Sequence, residues 1–578
     1  MSLFDDLPRG IPGAGNRGAL LGTAGWSASA PLWRPGMIFV GLDDAGNEVG
    51  HIDDRHIVTV AGSRGGKGVS AILPNLRRWP GSCAVLDPKG ENATRTAAIR
   101  AAMPGHHVAV VDPHGVAQMP DELRANFNPL DLIDADADDA IDLAAAIGDA
   151  LMIDSGDGKD VHWTESARQV IEALILYVAV NEVEASRSLV RVRQLLTKGE
   201  PERAALLNDL EADTHGDGAR EFSPFDALWD AMARFEGGNE AVADVIVGAA
   251  NSVRDMGENE RGSVLSTARR NTKFIDSPWM RRALQGGRYA KLDIDQLKAQ
   301  ERGLSIYLCL PARFLPTHAR FLRLALNLIL YRMEAQGLDQ PRCGHPVLMV
   351  LDEIAAIGRL DCIEKAAGLM AGFGVKLWSI WQDLSQLQRD YRDSWQTFLG
   401  NAGLLQFFAN SDMTTLEWLS KRLGQVEVIR ETQGASDATT ASTSKSQSRT
   451  EQSGWTRSTG TTQGQSAMAD LSRIATQDGG SGLVPFLVRA NASDLSHSHG
   501  QSHQEGRSGG ESAQQGDSVS SGTSRTETRN EGIHLTPLMA PDEIARLFSR
   551  GTKRQVVVME DGIAALRRYF PSAASVEK

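Results

Sequence analysis

Eight short runs rich in β-branched and aromatic residues constrain this chain more than any other feature. They are HIVTVA (56–61), CAVLD (83–87), HHVAVVDP (106–113), LSIYLCLP (304–311), PVLMVLDE (346–353), VKLWSIWQD (375–383), GLLQFFAN (403–410) and RQVVVMED (554–561). A strand wetted on one face alternates apolar and polar residues, because successive side chains point to opposite sides. These runs are apolar on both faces, as strands covered by helices on either side must be. Helix-length segments separate several of them. The pattern predicts an α/β layer with a central, largely parallel sheet.

The first run leads into GSRGGKG (62–68) and then the helical stretch VSAILPNL (69–76). Strand, glycine loop, lysine and helix are the parts of a phosphate cradle: backbone N–H groups turned inward and a helix N-terminus that favours anions. The Walker A spacing is Gly, four free positions, Gly-Lys, then Ser or Thr. Counted back from Lys67, the first glycine position holds Ala61, and Gly68 stands where the hydroxyl residue is usual. Gly62, Ser63, Arg64, Gly65, Gly66, Lys67, Gly68 and Val69 are the candidate phosphate-binding residues, with Lys67 reaching the β- and γ-phosphates. A second piece supports this reading. HPVLMVLDEI ends an apolar strand on Asp352-Glu353, which puts carboxylates at the carboxyl edge of the sheet, where magnesium on a nucleotide sits. Asp352 is the candidate metal ligand, and Glu353 the acid that polarises the attacking water. Gln382, at the end of the next run, offers a neutral amide able to sense the γ-phosphate. With no hydroxyl at position 68, the metal relies on phosphates, water and Asp352, with Ser70 more distant.

Residues 134–295 read differently. DDAIDLAAAIGDALM, WTESARQVIEALILYVAV and EAVADVIVGAANSVRDM space apolar residues three and four apart, and no convincing strand interrupts them. This predicts an all-helical domain inserted into the α/β unit. From 431 to 532 the composition collapses into Ser, Thr, Gln, Gly and Asn, which cannot bury enough apolar surface to offset ordering. A long flexible insertion is expected there, broken by one apolar island, GLVPFLVRA (482–490). The expected organisation is therefore an N-terminal segment without a membrane anchor (1–50), a nucleotide-binding unit in two parts (51–133 and 296–430), the helical insert (134–295), the low-complexity insertion (431–532), and a returning capped helix and strand (533–578).

The net charge of −13 argues against a surface coated with nucleic acid, while leaving room for a local basic patch. Cys83, Cys309, Cys343 and Cys362 are scattered, without a CxxC pair, and read as free thiols in a reducing compartment. No run approaches the roughly 18–20 apolar residues of a membrane span, so a cytoplasmic protein is expected.

With those residues in place, the chain resembles the TraG/TraD-type coupling proteins of type IV secretion and conjugation, which are RecA-like hexameric ATPases. TVAGSRGGKGVSAILPNLRRWPGSCAVLDPKGE (59–91) is similar to that family's loop, helix and second strand almost throughout. FNPLD (127–131), HWTESAR (162–168), LSTARRN (265–271), LDEIAAIGRLDCIEKAAGLMAGFGVKLWSIWQDLSQL (351–387), FLGNAGLLQFFANSD (398–412) and LSKRLG (419–424) follow in the family's order. The resemblance implies a RecA-like P-loop NTPase fold, ATP and Mg2+ as cofactors, and a homo-hexamer. It also implies coupling of ATP hydrolysis to the movement of a relaxase–DNA complex, or of a protein substrate, toward secretion-channel components. Relatives typically carry an N-terminal pair of transmembrane helices. Nothing before residue 56 resembles one, so recruitment to the inner face of the membrane by a partner is expected.

Three points stay open at the level of sequence. No motif fixes an arginine finger: Arg269, Arg270 and Arg64 are candidates, while Ala371 and Lys376 occupy the stretch where some relatives carry arginine. DNA binding is expected to be weak and sequence-independent, with the arginine pairs at 77–78, 269–270 and 281–282 as candidate contacts. Two other functions use the same residues: a nucleotide-switched adaptor without motor activity, and a cytoplasmic DNA pump or helicase of a related RecA-like group.

Overall fold

The computed structural model describes residues 25–27, 31–152, 161–215, 220–444, 518–560 and 562–570. They fall into two compact units. One holds the described residues up to Gly424 and again from Pro537; the other holds the described part of Gln425–Thr536.

The strands in chain order are β1 (Ile38–Leu42), β2 (Glu48–His51), β3 (His56–Ala61), β4 (Cys83–Asp87), β5 (His107–Val111), β6 (Ala125–Asn126), β7 (Ala290–Lys291), β8 (Leu304–Cys309), β9 (Val347–Leu351), β10 (Val375–Trp381), β11 (Ala402–Phe408), β12 (Gln425–Ser444), β13 (Ser518–Pro537), β14 (Arg554–Met559) and β15 (Gly562–Arg567). Eleven of them form one sheet in the order β2-β1-β15-β14-β11-β3-β10-β9-β4-β8-β5. From β11 to β5 every neighbouring pair runs parallel. From β11 outward through β14, β15, β1 and β2 every pair is antiparallel. The eight runs singled out in the sequence are β3, β4, β5, β8, β9, β10, β11 and β14. In β3, β4, β8, β9 and β10 every residue is buried. Burying one Val, Leu or Ile side chain contributes roughly 1.5–3 kcal/mol relative to leaving it exposed. The core runs through Ile57, Val85, Val350, Trp378, Ile380, Leu404 and Val557.

The sheet reaches further than the sequence suggests. β1 and β2 lie in the stretch expected to be an N-terminal appendage, and β15 adds a strand beyond the returning one. β1 is joined to β15 across more than five hundred residues through Leu42 and Arg567.

Between β6 and β7 the described chain holds eight α-helices: Ala140–Leu151, Val161–Asn181, Leu189–Lys198, Pro201–His215, Pro224–Ala233, Glu240–Asp255, Glu258–Asn271 and Pro278–Gln285. Side-chain caps start several of them. Ser188, Ser223 and Asn239 accept from the backbone N–H three residues on, which satisfies donors the helix leaves open. The architecture is thus α/β, a large, mostly parallel sheet with a helical domain inserted in it.

In the second unit β12 and β13 pair as a two-stranded sheet. Parts of the low-complexity stretch, 431–444 and 518–532, are therefore strand and not loop. Residues 445–517, with the apolar island at 482–490, lie outside the described residues. Among the described residues no helix is long and apolar enough to cross a membrane, and all four cysteines are free.

Candidate nucleotide site

The glycine loop leaves β3 at Ala61, which is the last residue of the strand and fully buried. The tight position is one residue later: a Cβ on Gly62 would lie 1.9 Å from the Ala409 carbonyl oxygen. The glycine the usual spacing demands at 61 is thus needed at 62, where β11 ends against the loop. Gly65 closes the turn by donating to the Gly62 carbonyl at 2.8 Å. Arg64 and Gly66 adopt positive φ, 55° and 89°; the second is the conformation that favours glycine. Ser63 and Arg64 are exposed at the tip.

Lys67 precedes a helix whose first turn is a π-turn, Gly68–Ile72, continuing as Leu73–Arg78. Such turns are common at functional sites. The Ser70 N–H donates to the Gly66 carbonyl at 2.9 Å; the other N–H groups that open a helix lack intrahelical acceptors and favour an anion. Nothing lies within 4 Å of a Cβ built on Gly68, so the missing hydroxyl is not a matter of space. Ser70, the more distant candidate, is buried and its hydroxyl donates to the Gly66 carbonyl at 2.9 Å.

β10 lies between β3 and β9, so Gln382, just past the end of β10, stands between the glycine loop and the acids. Its backbone is pinned on both sides: its N–H donates to Gln386 Oε1 at 3.2 Å and its carbonyl accepts from Asn410 Nδ2 at 3.3 Å. Past the end of β9, Asp352 Oδ1 pairs with Lys67 Nζ at 2.9 Å, and Glu353 Oε1 is 3.8 Å from the same ammonium. Consecutive strand residues point to opposite faces, yet these two carboxylates meet one lysine. The backbone supplies the reason: Glu353 takes a left-handed conformation, φ 53° and ψ 37°. For a residue with a side chain this costs of order 1–3 kcal/mol and is typical of functional sites.

The structure therefore brings Lys67, Asp352 and Glu353 into contact and sets Gln382 at the adjacent strand end without a hydrogen bond to them. It also adds residues that sequence reasoning did not single out. Lys89 Nζ donates to Glu353 Oε1 at 2.6 Å. Asp87, buried at the end of β4, accepts from the Ala93 N–H at 2.8 Å. Burial, reinforced by the nearby Asp352 and Glu91, pushes its carboxyl up to about 6. Arg568, in the chain past β15, donates to the Gly65 carbonyl and to the Arg550 carbonyl. It is only 4% exposed, lies over Phe408 and Phe570, and burial lowers its pKa to about 10. Lys89 and Asp87 sit at the end of the 59–91 stretch that resembles the family; nothing near Arg568 signals its partner, because the loop is five hundred residues away.

Several candidate arginines have other work. Arg269 donates to the Leu196 carbonyl at 2.7 Å and lies over Phe225. Arg78 forms a two-pronged pair with Glu48 at 2.8 and 2.9 Å and lies over Trp33, Phe39 and Tyr569. Lys376 is buried, donates to the Asp53 and Arg55 carbonyls, and desolvation lowers it to about 8. Arg64 and Arg270 are exposed.

Comparison with known proteins decides the family. Residues 31–454 match the model of the type IV secretory system conjugative DNA transfer family. The chain belongs to that family. Among relatives of this conjugative DNA transfer chain, the conjugal transfer protein TraG of Escherichia coli is 27% identical over 394 residues, covering 66% of this chain and 56% of TraG. The type IV secretion system-coupling protein VirD4 of Bartonella quintana is 24% identical over 382 residues, covering 64% and 53%. The chain thus spans about half the length of the curated relatives it matches. Among solved structures, plasmid coupling protein TrwB in complex with ADP and Mg2+ aligns with a TM-score of 0.54 at 13% identity, over 98% of this chain and 95% of that one. The unbound coupling protein TrwBdeltaN70 aligns at 0.53 with 14% identity, over 93% and 90%. At that identity the likeness shows the fold, RecA-like and P-loop-containing.

Proposed function

We propose that this conjugative DNA transfer family member is an ATP-hydrolysing coupling protein. On this reading it drives a relaxase–DNA complex or a protein substrate toward a type IV secretion channel, as a homo-hexamer recruited to the inner face of the membrane by partners. The observation that carries the proposal is the convergence of Lys67, Asp352 and Glu353 at the carboxyl ends of β3 and β9, with Gln382 at the end of the strand between. The residues fit a magnesium–nucleotide. Gly62 has no room for a side chain, Gly66 holds a positive φ, and an unsubstituted carboxylate pair faces the loop lysine. The relative TrwB is known in complex with ADP and Mg2+.

On this reading the loop of residues 62–69 binds the phosphates, through amides other than those of Gly62 and Gly65, which bond within the protein. Lys67, paired with Asp352 in this structure, would hold the β- and γ-phosphates, and Asp352 would hold the magnesium. The metal, when bound, neutralises phosphate charge as it builds in the transition state. Glu353 orients the attacking water and takes its proton, and Gln382 places a neutral amide at the γ-phosphate. DNA contact is proposed to be weak and sequence-independent, through phosphates, and so to weaken with salt.

Steady-state ATPase measurements test the motor reading. The wild type should turn over ATP, more with single-stranded DNA present. Glu353→Gln should bind ATP and lose turnover by roughly 10²–10⁴-fold, the usual contribution of a general base. Lys67→Ala should lose nucleotide binding with the fold intact by circular dichroism. Wild-type protein without turnover, with or without DNA, would leave the adaptor.

A further inference from the structure

Two lysines share one oxygen of Glu353. Lys67 lies 3.8 Å from Oε1 and Lys89 2.6 Å from the same atom. They differ in where else they can go. Lys67 belongs to the phosphate loop, and on the reading above a bound nucleotide draws it away. Lys89 lies outside that loop, in the turn after β4, and its contact with Oε1 is the shorter of the two.

That grip is built in. The turn Pro88–Gly90 is held by the Gly90 N–H donating to the Asp87 carbonyl at 3.1 Å, and by the Asp87 carboxylate accepting from Ala93 at 2.8 Å. Gly90 has φ 69°, and a Cβ there would come within 3.0 Å of the Ala117 nitrogen. Only the side chain of Lys89 is free to move, and it is 53% exposed against 19% for Glu353. The carboxylate sits in the site; the ammonium is the member that can leave.

A short ammonium–carboxylate bond is charge-assisted and stronger than a neutral one. It stabilises the anion and occupies acceptor capacity that a water's O–H would use. A water-activating carboxylate whose Oε1 is so occupied is held in the wrong contact to receive a water's O–H. The bond also holds the Lys89 ammonium above its ordinary pKa, with the Glu353 hydrogen bond the largest cause and burial opposing it.

We propose that Lys89 is a positioning residue that restrains Glu353 in the resting site, so that full hydrolysis requires the ammonium to be drawn off by an external anion such as a nucleic-acid phosphate. The proposal rests on Glu353 acting as the water-activating acid, and the experiment separates the two. Wild type, Lys89→Met, Lys89→Arg and Glu353→Gln are assayed for kcat and KM for ATP without DNA. Lys89→Met should raise basal kcat on the order of tenfold, a fraction of what a general base supplies, with KM unchanged, and should lose further stimulation by a thirty-residue oligothymidylate. Lys89→Arg, which keeps the pair, should behave as wild type. Damage to the fold lowers kcat and cannot imitate a rise. Apart from turnover, the acylation rate of Lys89 in nucleotide-free protein, read by mass spectrometry, should rise several-fold in Glu353→Gln, because the ammonium then loses its partner. If basal kcat of Lys89→Met is unchanged or reduced while Glu353→Gln is silent, the restraint is refuted and the role of Glu353 survives. A wild type without turnover, or a Glu353→Gln variant as active as wild type, removes both.

Discussion

The glycines of the loop differ in what they do, and the difference is measurable. Gly62 is packed against the end of β11, where a Cβ would overlap the Ala409 carbonyl. Gly62→Ala is expected to destabilise by about 1–3 kcal/mol, the usual cost of forcing atoms into a filled space, and to abolish nucleotide binding as the loop shifts. Gly68 has open space around its Cα, so Gly68→Ser should leave the denaturation midpoint within error of wild type. Arg568 poses a different question. Its guanidinium is buried, and among the described residues no carboxylate pairs with it. Its bond to the Gly65 carbonyl polarises the Gly65–Gly66 peptide and strengthens the Gly66 N–H as a donor toward phosphate. Burying a cation without a counter-charge is costly; a bound triphosphate supplies the balancing charge. Arg568→Met should therefore weaken ATP affinity on the order of tenfold, about 1.4 kcal/mol. Fluorescence titration should show the loss shrinking from ATP to ADP to AMP as the charge falls. An equal loss for all three nucleotides would assign Arg568 to the fold alone.

At the scale of elements, a second buried arginine ties helices to the sheet. Arg100, in the helix Glu91–Ala101, donates to the Leu76 carbonyl at 2.6 Å, the Trp79 carbonyl at 2.8 Å and the Gly81 carbonyl at 2.7 Å. It also reaches Ser305 in β8. It thereby closes the open end of the helix Leu73–Arg78 that follows the glycine loop. Arg100→Met leaves buried acceptors unpaired at about 1–3 kcal/mol each, so urea midpoints should fall by the equivalent of several kcal/mol, with Arg100→Lys intermediate. None of this is legible in the sequence, because the carbonyls and the serine that Arg100 meets are brought to it by the fold. What was legible followed from local pattern. Strands apolar on both faces announce themselves, and so does a lysine at the end of a glycine loop. β2 (EVGH) and β15 (GIAALR) did not, because alanine, glycine and glutamate are poor strand formers, and distant partners hold these segments and β1 (IFVGL) in place. β15 is aligned with β14 residue by residue from Arg554–Arg567 to Met559–Gly562. The pairing of Lys89 with Glu353, and of Arg568 with Gly65, is likewise a product of the assembled sheet.

At the scale of the whole molecule, two buried histidines make stability depend on acid. His56, at the start of β3, accepts from the Leu377 N–H on Nδ1 at 3.2 Å and so donates from Nε2 to the Ala366 carbonyl at 3.0 Å. Burial lowers it to about 4, with Lys376 adding to the effect. His106 donates from Nδ1 to the Arg302 carbonyl at 2.7 Å, which leaves Nε2 as acceptor from Arg100 at 3.2 Å. Burial first and the Arg100 charge second lower it to about 4 as well. Both rings are neutral when folded and protonate near 6.5 when unfolded. Between those values the unfolded chain binds more protons, so stability is fully present above about pH 6.5 and is lost as pH falls toward 4. Each ring contributes on the order of 2–3 kcal/mol to that loss. Asp87 opposes it: with a folded value near 6, its contribution is present at low pH and fades as pH rises from about 4 to 6. One carboxyl set against two imidazoles leaves the net slope with the histidines. Urea unfolding at pH 7 and at pH 5 should thus show a lower midpoint at pH 5. His56→Gln, which keeps a side chain able to accept and donate but cannot titrate, should flatten the difference even if it lowers both midpoints. An undiminished pH difference in that variant would exclude His56 as a source of the acid sensitivity.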